Sequence, residues 1–342
     1  MAVSINKQTV LEQWSRCLDT KYLLADDSDE EDEVIEEYFE LFEMLYSQRY
    51  INKPQPVPKN HGFGHCGNGS SIVEVASRFG LSDGGTVTDY TKRVITAITP
   101  LSSRFIKWPT AAERLEISAE MGKKGVPNCI GFIDGSHLRL VSELVEDGIS
   151  YYNRRSFYSL NMTAIVNYKK AIIGFQLGFP GKVHDMTVFK SMSIYKNPQL
   201  HFRDNEYIIG DPAYTLSKHM ITPFRSSLLQ TSRQKKYNNV ICKNRIAVEH
   251  VFGKLKSRFK SLDGLSMKIS KESNGVQYAW EWVWACLILH NILIDDNWFD
   301  NESNFESFNE NVCLNEEPIL LARNERRDKE ESVHRRNSLI DF

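Results

Sequence analysis

The sequence predicts an α/β domain over residues 129–295, preceded by a small all-α module of helix-turn-helix form. Three observations predict it. Apolar runs of strand length begin at Cys129, a long amphipathic helical stripe surrounds Val248, and two shorter helical patterns between Ser70 and Ile98 are split by glycines. At 342 residues the chain can hold one well-buried domain, a smaller module and flexible ends.

Residues 1–60 read as an acidic, partly disordered segment. The stretch 26–43 carries eleven acids and no base, so self-repulsion should extend it into a tether before a helix near Val34 to Tyr46. A second reading lets this stretch compete with DNA for the protein's own basic surface. Residues 51–71, rich in Pro, Gly and Asn, read as a linker.

The module occupies 61–105. Ile72, Val75, Ala76 and Phe79 keep one helical face, Val87, Thr91, Val94 and Ile98 keep another, and Gly80 to Gly85 break the two apart. A second helix opening at Thr86 would present Thr86, Thr88, Asp89, Lys92 and Arg93 to a major groove, so Thr86, Lys92 and Arg93 are candidate contacts to double-stranded DNA. Helical hairpins are also common simply as packing units. A connecting helix over 106–128 follows, with Thr110 and Glu113 at capping-box spacing.

From Cys129 the period changes. CIGFIDGS, SLNMTAIVNY and AIIGFQLGFPG read as three successive strands, the last two joined by a turn near Tyr168 to Lys170; HDMTVFKSMSIY suits a helix and NEYIIGDPAY a fourth buried strand. The long helix NRIAVEHVFGKLKSRF carries the stripe Val248, Val251, Phe252, Leu255 and Phe259. Three hairpin-connected strands, a helix, a strand and later helices are the order of an RNase H-like α/β domain. The apolar segment Val276 to Ile294 is interrupted by Gln277, Glu281, His290 and Asn291, so it predicts a buried helix covering a sheet and no membrane span. Residues 296–342 read as a polar, mobile tail with a short apolar patch at Pro318 to Ala322.

The net charge of −2 gives no global sign of nucleic-acid binding, but charge is segregated. Between 231 and 260 nine basic residues face the single acid Glu249, a net of +8. Lys254, Lys256 and Arg258 are the candidate phosphate contacts there, a solvated helix face being the plainer account. Six scattered cysteines without a CxxC pair suggest neither a zinc ribbon nor a disulfide framework, and a reducing compartment fits. The N-terminus shows no secretory signal, so the protein is expected to stay inside the cell.

Cleaving a phosphodiester takes an activated water and neutralisation of the attacking and leaving oxygens, which two Mg²⁺ ions about 4 Å apart supply together. Hard cations want carboxylates at the ends of rigid strands. Asp134 ends the apolar run CIGFI and Asp211 ends YIIG. Each is also an ordinary turn residue. Glu249 lies on the border of the helical stripe, where it can face a sheet or pair with Arg245 at i,i+4 spacing. Asp185, at a strand-to-helix handover, is either a metal-site acid or a helix-start residue. His137, His184 and His250 fall near these acids and suggest supporting or phosphate contacts, with no zinc pattern among them.

The blocks GFIDGSH (131–137), YYNRRSFYSLNMTAIVNY (151–168), GFPGKVHDMTVF (178–189), YIIGDPAYTL (207–216), ITPF (221–224), YNNVICKNRIAVEHVFGKLKSRF (237–259) and ACLILHNIL (285–293) together resemble the PIF/Harbinger group of transposases and transposase-derived nucleases. The chain departs from that group at the Pro-rich KPQPVPKN and in a longer LSDGGTV turn. The resemblance implies a DDE superfamily endonuclease site in which Asp134, Asp211 and Glu249 are catalytic and hold Mg²⁺ or Mn²⁺, with Asp185 as an additional metal-site acid. It also implies nuclear localisation and a Myb-like DNA-binding partner protein, and it leaves oligomerisation open. The leading expectation is therefore a DNA endonuclease or transposase. A domesticated DNA-binding or adaptor protein on the same fold is the alternative, and an RNA-directed enzyme is a third reading.

Overall fold

The computed structural model describes residues 64–65, 70–78, 84–141, 148–203, 205–225, 231–265 and 275–294, with positions 333, 336 and 337. The acidic stretch, most of the linker and the Pro318 patch fall outside the described residues. The chain divides into two compact units, 1–96 and 97–342.

In the first unit, β1 (Gly64–His65) pairs antiparallel with β2 (Ser70–Ser71), which runs into α1 (Ile72–Arg78). α2 (Gly84–Ile98) follows and opens at Gly84, earlier than Thr86. Ile72, Val75, Ala76 and Val87 form a small core. A Cβ at residue 84 would lie 2.4 Å from Ile72 Cγ2, so the helix starts on glycine because α1 crosses it there. The turn between the two helices lies outside the described residues, as does Phe79. Lys92 and Arg93 are exposed and Thr86 is half-buried.

The second unit begins with a 3-10 turn over 99–101, α3 (Ser102–Phe105) and α4 (Ala111–Lys123). The expected capping box forms: Glu113 N donates to Thr110 Oγ1 and Thr110 N to the Glu113 carboxylate. Arg114 of α4 is buried against Glu206 at 2.8 Å, tying this helix to the loop that leads into the fourth strand of the main sheet.

That sheet has five strands. β3 (Cys129–Arg139) is followed by α5 (Gly148–Tyr151), β4 (Ser159–Val166) and β5 (Ile172–Pro180). Three short helices, α6 (Asp185–Ser191), α7 (Ser193–Lys196) and α8 (Pro198–His201), precede β6 (Tyr207–Ile209) and β7 (Met220–Ile221). The order is β5-β4-β3-β6-β7; β3, β4 and β5 are antiparallel neighbours, and β6 and β7 run parallel to β3. The β4–β5 turn is built by Asn167, whose Oδ1 accepts from Lys169 N and Ala171 N, with Lys170 at φ +66°.

Every residue of β4 is buried, because helices cover both faces of the sheet. α9 (Ser232–Arg258) packs on β3 and β4, α6 on β4 and β5, and α10 (Gly275–Ile292) on β5. Trp284 of α10 packs on Phe175 of β5, ring centroids 5.7 Å apart, and two tryptophans reach polar partners: Trp284 Nε1 donates to Ser102 Oγ at 2.8 Å and Trp282 Nε1 to Ser261 Oγ at 3.0 Å. No helix among the described residues is long and apolar enough to cross a membrane. Cys129 and Cys286 are buried and outside any disulfide, but Cys242 is disulfide-bonded, a departure from the cysteine reading.

Candidate active site

The site lies where two parallel strands part. β3 and β6 are last in register at Phe132↔Ile209. Asp134 and Asp211 each stand two residues beyond that pair, so the parallel register brings them to one level of the sheet. Asp134 is not at a strand end, as its position after CIGFI predicted, because β3 continues to Arg139 by pairing with β4 (Asp134↔Ala164). What ends there is the pairing with β6. Asp211 follows its strand, two residues past the end of β6, and its Oδ1 accepts from Ala213 N at 3.0 Å.

Asp185 is the first residue of α6. His184 is the N-cap and makes no side-chain cap bond. The Asp185 carboxylate turns to the sheet: Oδ1 accepts from Asn161 Nδ2 of β4 at 2.9 Å. It also fills the space beside Gly135, where a Cβ would lie 2.4–2.9 Å from its carboxyl atoms. Glycine at 135 thus lets the fourth acid stand next to Asp134.

Glu249 comes from α9, together with Arg245 one turn earlier. Arg245 Nη1 donates to Asp134 Oδ2 at 2.6 Å and Nη2 to Glu249 Oε1. The i,i+4 pair expected as the alternative role of Glu249 therefore forms, and Asp134 is its third member. The Arg245 side chain is 7% exposed, against 18% for Asp134 and 27% for Glu249. Its Nε has no hydrogen-bond partner among the described residues. Burial opposes the Arg245 charge, but Asp134, Glu249 and Asp211 outweigh it and hold the guanidinium above its ordinary value.

The four acids share one electrostatic neighbourhood. Burial first, then the charges of Asp185 and Glu249, push the Asp134 carboxyl up to about 6 against the pull of Arg245 and the Gly135 amide. Buried Tyr214 is raised well above its ordinary value, by burial first and then by Asp185, Asp134 and Asp211. Among the described residues no three His, Cys, Asp or Glu side chains converge on one ion position. The chemistry of the donor set is nevertheless that which a hard dication takes: all four are carboxylates, one resists ionisation chiefly because it is buried, and a guanidinium stands between two of them.

The basic candidates on α9 part company. Lys256 Nζ donates to the His137 carbonyl at 2.9 Å and braces β3, and Lys254 is half-buried. Arg258 is 4% exposed, which corrects the expectation that it faces DNA: it follows Val251 and Leu255 at helical spacing and so falls on the buried stripe. His137 Nδ1 lies 3.3 Å from Ser159 Oγ, His184 contacts Arg154, and His250 is half-buried. Charge counting along the chain missed that Arg245 belongs to the site. Its spacing from Ile241, Val248 and Phe252, all buried, is the signal that could have found it.

Residues 133–291, a span that opens one residue before Asp134 and encloses Glu249, match the family model described as DDE superfamily endonuclease. The match spans just under half of the chain and makes that segment similar to DDE superfamily endonucleases. The chain is 25% identical over 234 residues to "Putative nuclease HARBI1" of Bos taurus, covering 67% of this chain and 64% of that protein. The human protein of the same name is 24% identical over 234 residues, with the same coverage. "Protein ALP1-like" of Arabidopsis thaliana is 26% identical over 247 residues, 67% of this chain and 58% of that protein. The chain thus matches about three fifths of the length of these relatives. No solved structure matches it.

Proposed function

We propose that this chain is a metal-dependent DNA endonuclease of the transposase type, built on an RNase H-like fold, with Asp134, Asp211 and Glu249 as catalytic acids and Asp185 completing the set. The observation that carries the proposal is that these acids, from β3, the segment after β6, α6 and α9, share one electrostatic neighbourhood at the fork where β3 and β6 part. The sheet order, with three antiparallel strands followed by two parallel ones, supports the same reading of the fold.

These four carboxylates would hold Mg²⁺ or Mn²⁺, which when bound supplies an activated water and neutralises the attacking and leaving oxygens. Asp134 must be ionised to serve as a ligand, so metal affinity should rise as pH passes about 6. Arg245 holds Asp134 and Glu249 in place and neutralises part of their charge. Lys256 fixes the β3 backbone beside them. Nuclear localisation, double-stranded DNA as substrate and a Myb-like partner belong to the same proposal.

The test is cleavage of duplex DNA carrying candidate terminal repeats by the purified full chain in Mg²⁺ or Mn²⁺. Asp134→Asn, Asp211→Asn and Glu249→Gln remove the charge a hard cation needs while keeping side-chain size, so each should abolish cleavage and leave DNA binding. Asp185→Asn should behave like the other three. Cleavage by the Asp134→Asn protein at the unmodified rate would sink the assignment.

A further inference from the structure

Among the described residues a phosphodiester approaching this site meets four carboxylates and one guanidinium between two of them, so a cationic surface has to draw the DNA strand in and hold it. The Lys254 to Arg258 segment does not provide it in full, since Arg258 is buried and Lys256 is engaged with β3. A different segment stands at the rim. The geometry points to the turn from Asn153 to Ser159 as a phosphate clamp, in which Arg154 and Arg155 grip the backbone of the DNA strand beside Asp185.

This turn is rigid. The buried Asn153 uses its side chain three times: Oδ1 accepts from Arg155 N at 2.9 Å and from Phe157 N at 3.4 Å, and Nδ2 donates to Ser159 Oγ at 2.8 Å. Asn153 N also bonds Phe157 O and Ser156 N bonds Asn153 O, with Ser156 at φ +62°. Both arginines on it are exposed. Arg154 reaches across to the ring of His184 at 2.6 Å, and His184 directly precedes Asp185. Arg155 has no hydrogen-bonding or acidic side-chain partner among the described residues, although it is near enough to His137 and Lys256 for its charge to add to burial, the larger cause, in disfavouring protonation of both.

Two further groups extend the rim. Phe157 lies between His137, at 6.2 Å, and the exposed Arg139, at 5.6 Å. Two unneutralised guanidiniums on a preorganised turn, at the edge of an acidic centre, match the spacing-tolerant, bidentate recognition of phosphate oxygens. The burial of so much hydrogen bonding in Asn153 is what keeps these like charges together.

The inference rests on the nuclease reading, and the experiment separates the two. Binding of a fluorescently labelled random-sequence duplex to the full chain is measured against salt for the unmodified protein and for the Arg154→Gln/Arg155→Gln variant. Losing two phosphate contacts should make the slope of log affinity against log salt shallower by about 2 and weaken binding about tenfold or more at low salt, with unchanged thermal unfolding. Arg154→Lys/Arg155→Lys should restore most of the slope. Lys107→Gln/Lys196→Gln, which removes equal charge from exposed positions elsewhere, should leave it nearly unchanged. An unaltered slope in the arginine variant, or an equal loss in the lysine control, overturns the clamp. Mg²⁺-dependent nicking is followed in the same samples. Binding through these arginines without any cleavage by the unmodified protein would keep the clamp and overturn the nuclease reading, whereas cleavage with arginine-independent binding would do the reverse.

Discussion

Replacing Asp134 by asparagine should stabilise the metal-free protein. The carboxyl sits at about 6 in the folded chain against an ordinary 3.8, so between about pH 4 and pH 6 the folded state binds more protons than the unfolded one. Stability then falls as pH rises through that window, and the loss is complete above it. A gap of about 2 pH units corresponds to roughly 3 kcal/mol, an upper figure because the side chain is 18% exposed and water relaxes part of the burden. Asparagine cannot ionise and escapes the penalty. Urea unfolding in chelator should therefore show the Asp134→Asn protein more stable by up to roughly 3 kcal/mol at about pH 7.5, a midpoint shift on the order of 1 M. The advantage should shrink to roughly 0.5 kcal/mol near pH 4 and vanish by about pH 3, where the acid is protonated in both states. A variant that is no more stable at about pH 7.5, or whose advantage is the same at both pH values, would show that Asp134 is an ordinary carboxylate satisfied by Arg245.

Removing the cation instead of the acid should act in the opposite direction. Arg245→Gln leaves Asp134 and Glu249 without their shared partner and should cost about 3 kcal/mol or more, with a greater loss at about pH 7.5 than at about pH 5; a change within about 0.5 kcal/mol in the same unfolding assay would mean the triad contributes nothing. Gly135→Ala changes no charge, but its methyl group would lie within 2.4–2.9 Å of the Asp185 carboxyl and push that acid away. The fold should survive by circular dichroism while Mg²⁺ no longer raises the melting temperature, and an undiminished Mg²⁺ response would remove Asp185 from the site.

Much of this architecture is legible in the chain itself. The strand runs at 129, 159, 172 and 207, the capping box at Thr110 and the stripe on α9 are local patterns, and they appear where period and capping chemistry put them. β7 has only two residues, too few for any period, and exists because β6 offers it a parallel edge. Asp134 was readable as an acid after an apolar run but not as a mid-strand residue, since pairing with β4 is a long-range event. The arginines show the sharper limit. Arg245 and Arg258 count as surface charge in a linear tally, yet both occupy inward positions of α9, one facing acids and the other on the apolar stripe. The exposed Arg154 and Arg155 sit in a turn whose proximity to the site depends on how β4 lies against α6.

The guanidinium lodged between Asp134 and Glu249 has a consequence for the life history of the protein. Domains whose ligands are neutralised only by an ion depend on that ion to fold, and chelation denatures them. Here part of the compensating charge is encoded in the polypeptide, so on the proposed metal-dependent reading folding and arming are separate events. A newly made molecule can reach its final shape in an ion-poor environment and persist there, assembled and inert. On that reading ion supply governs when it works, not whether it exists.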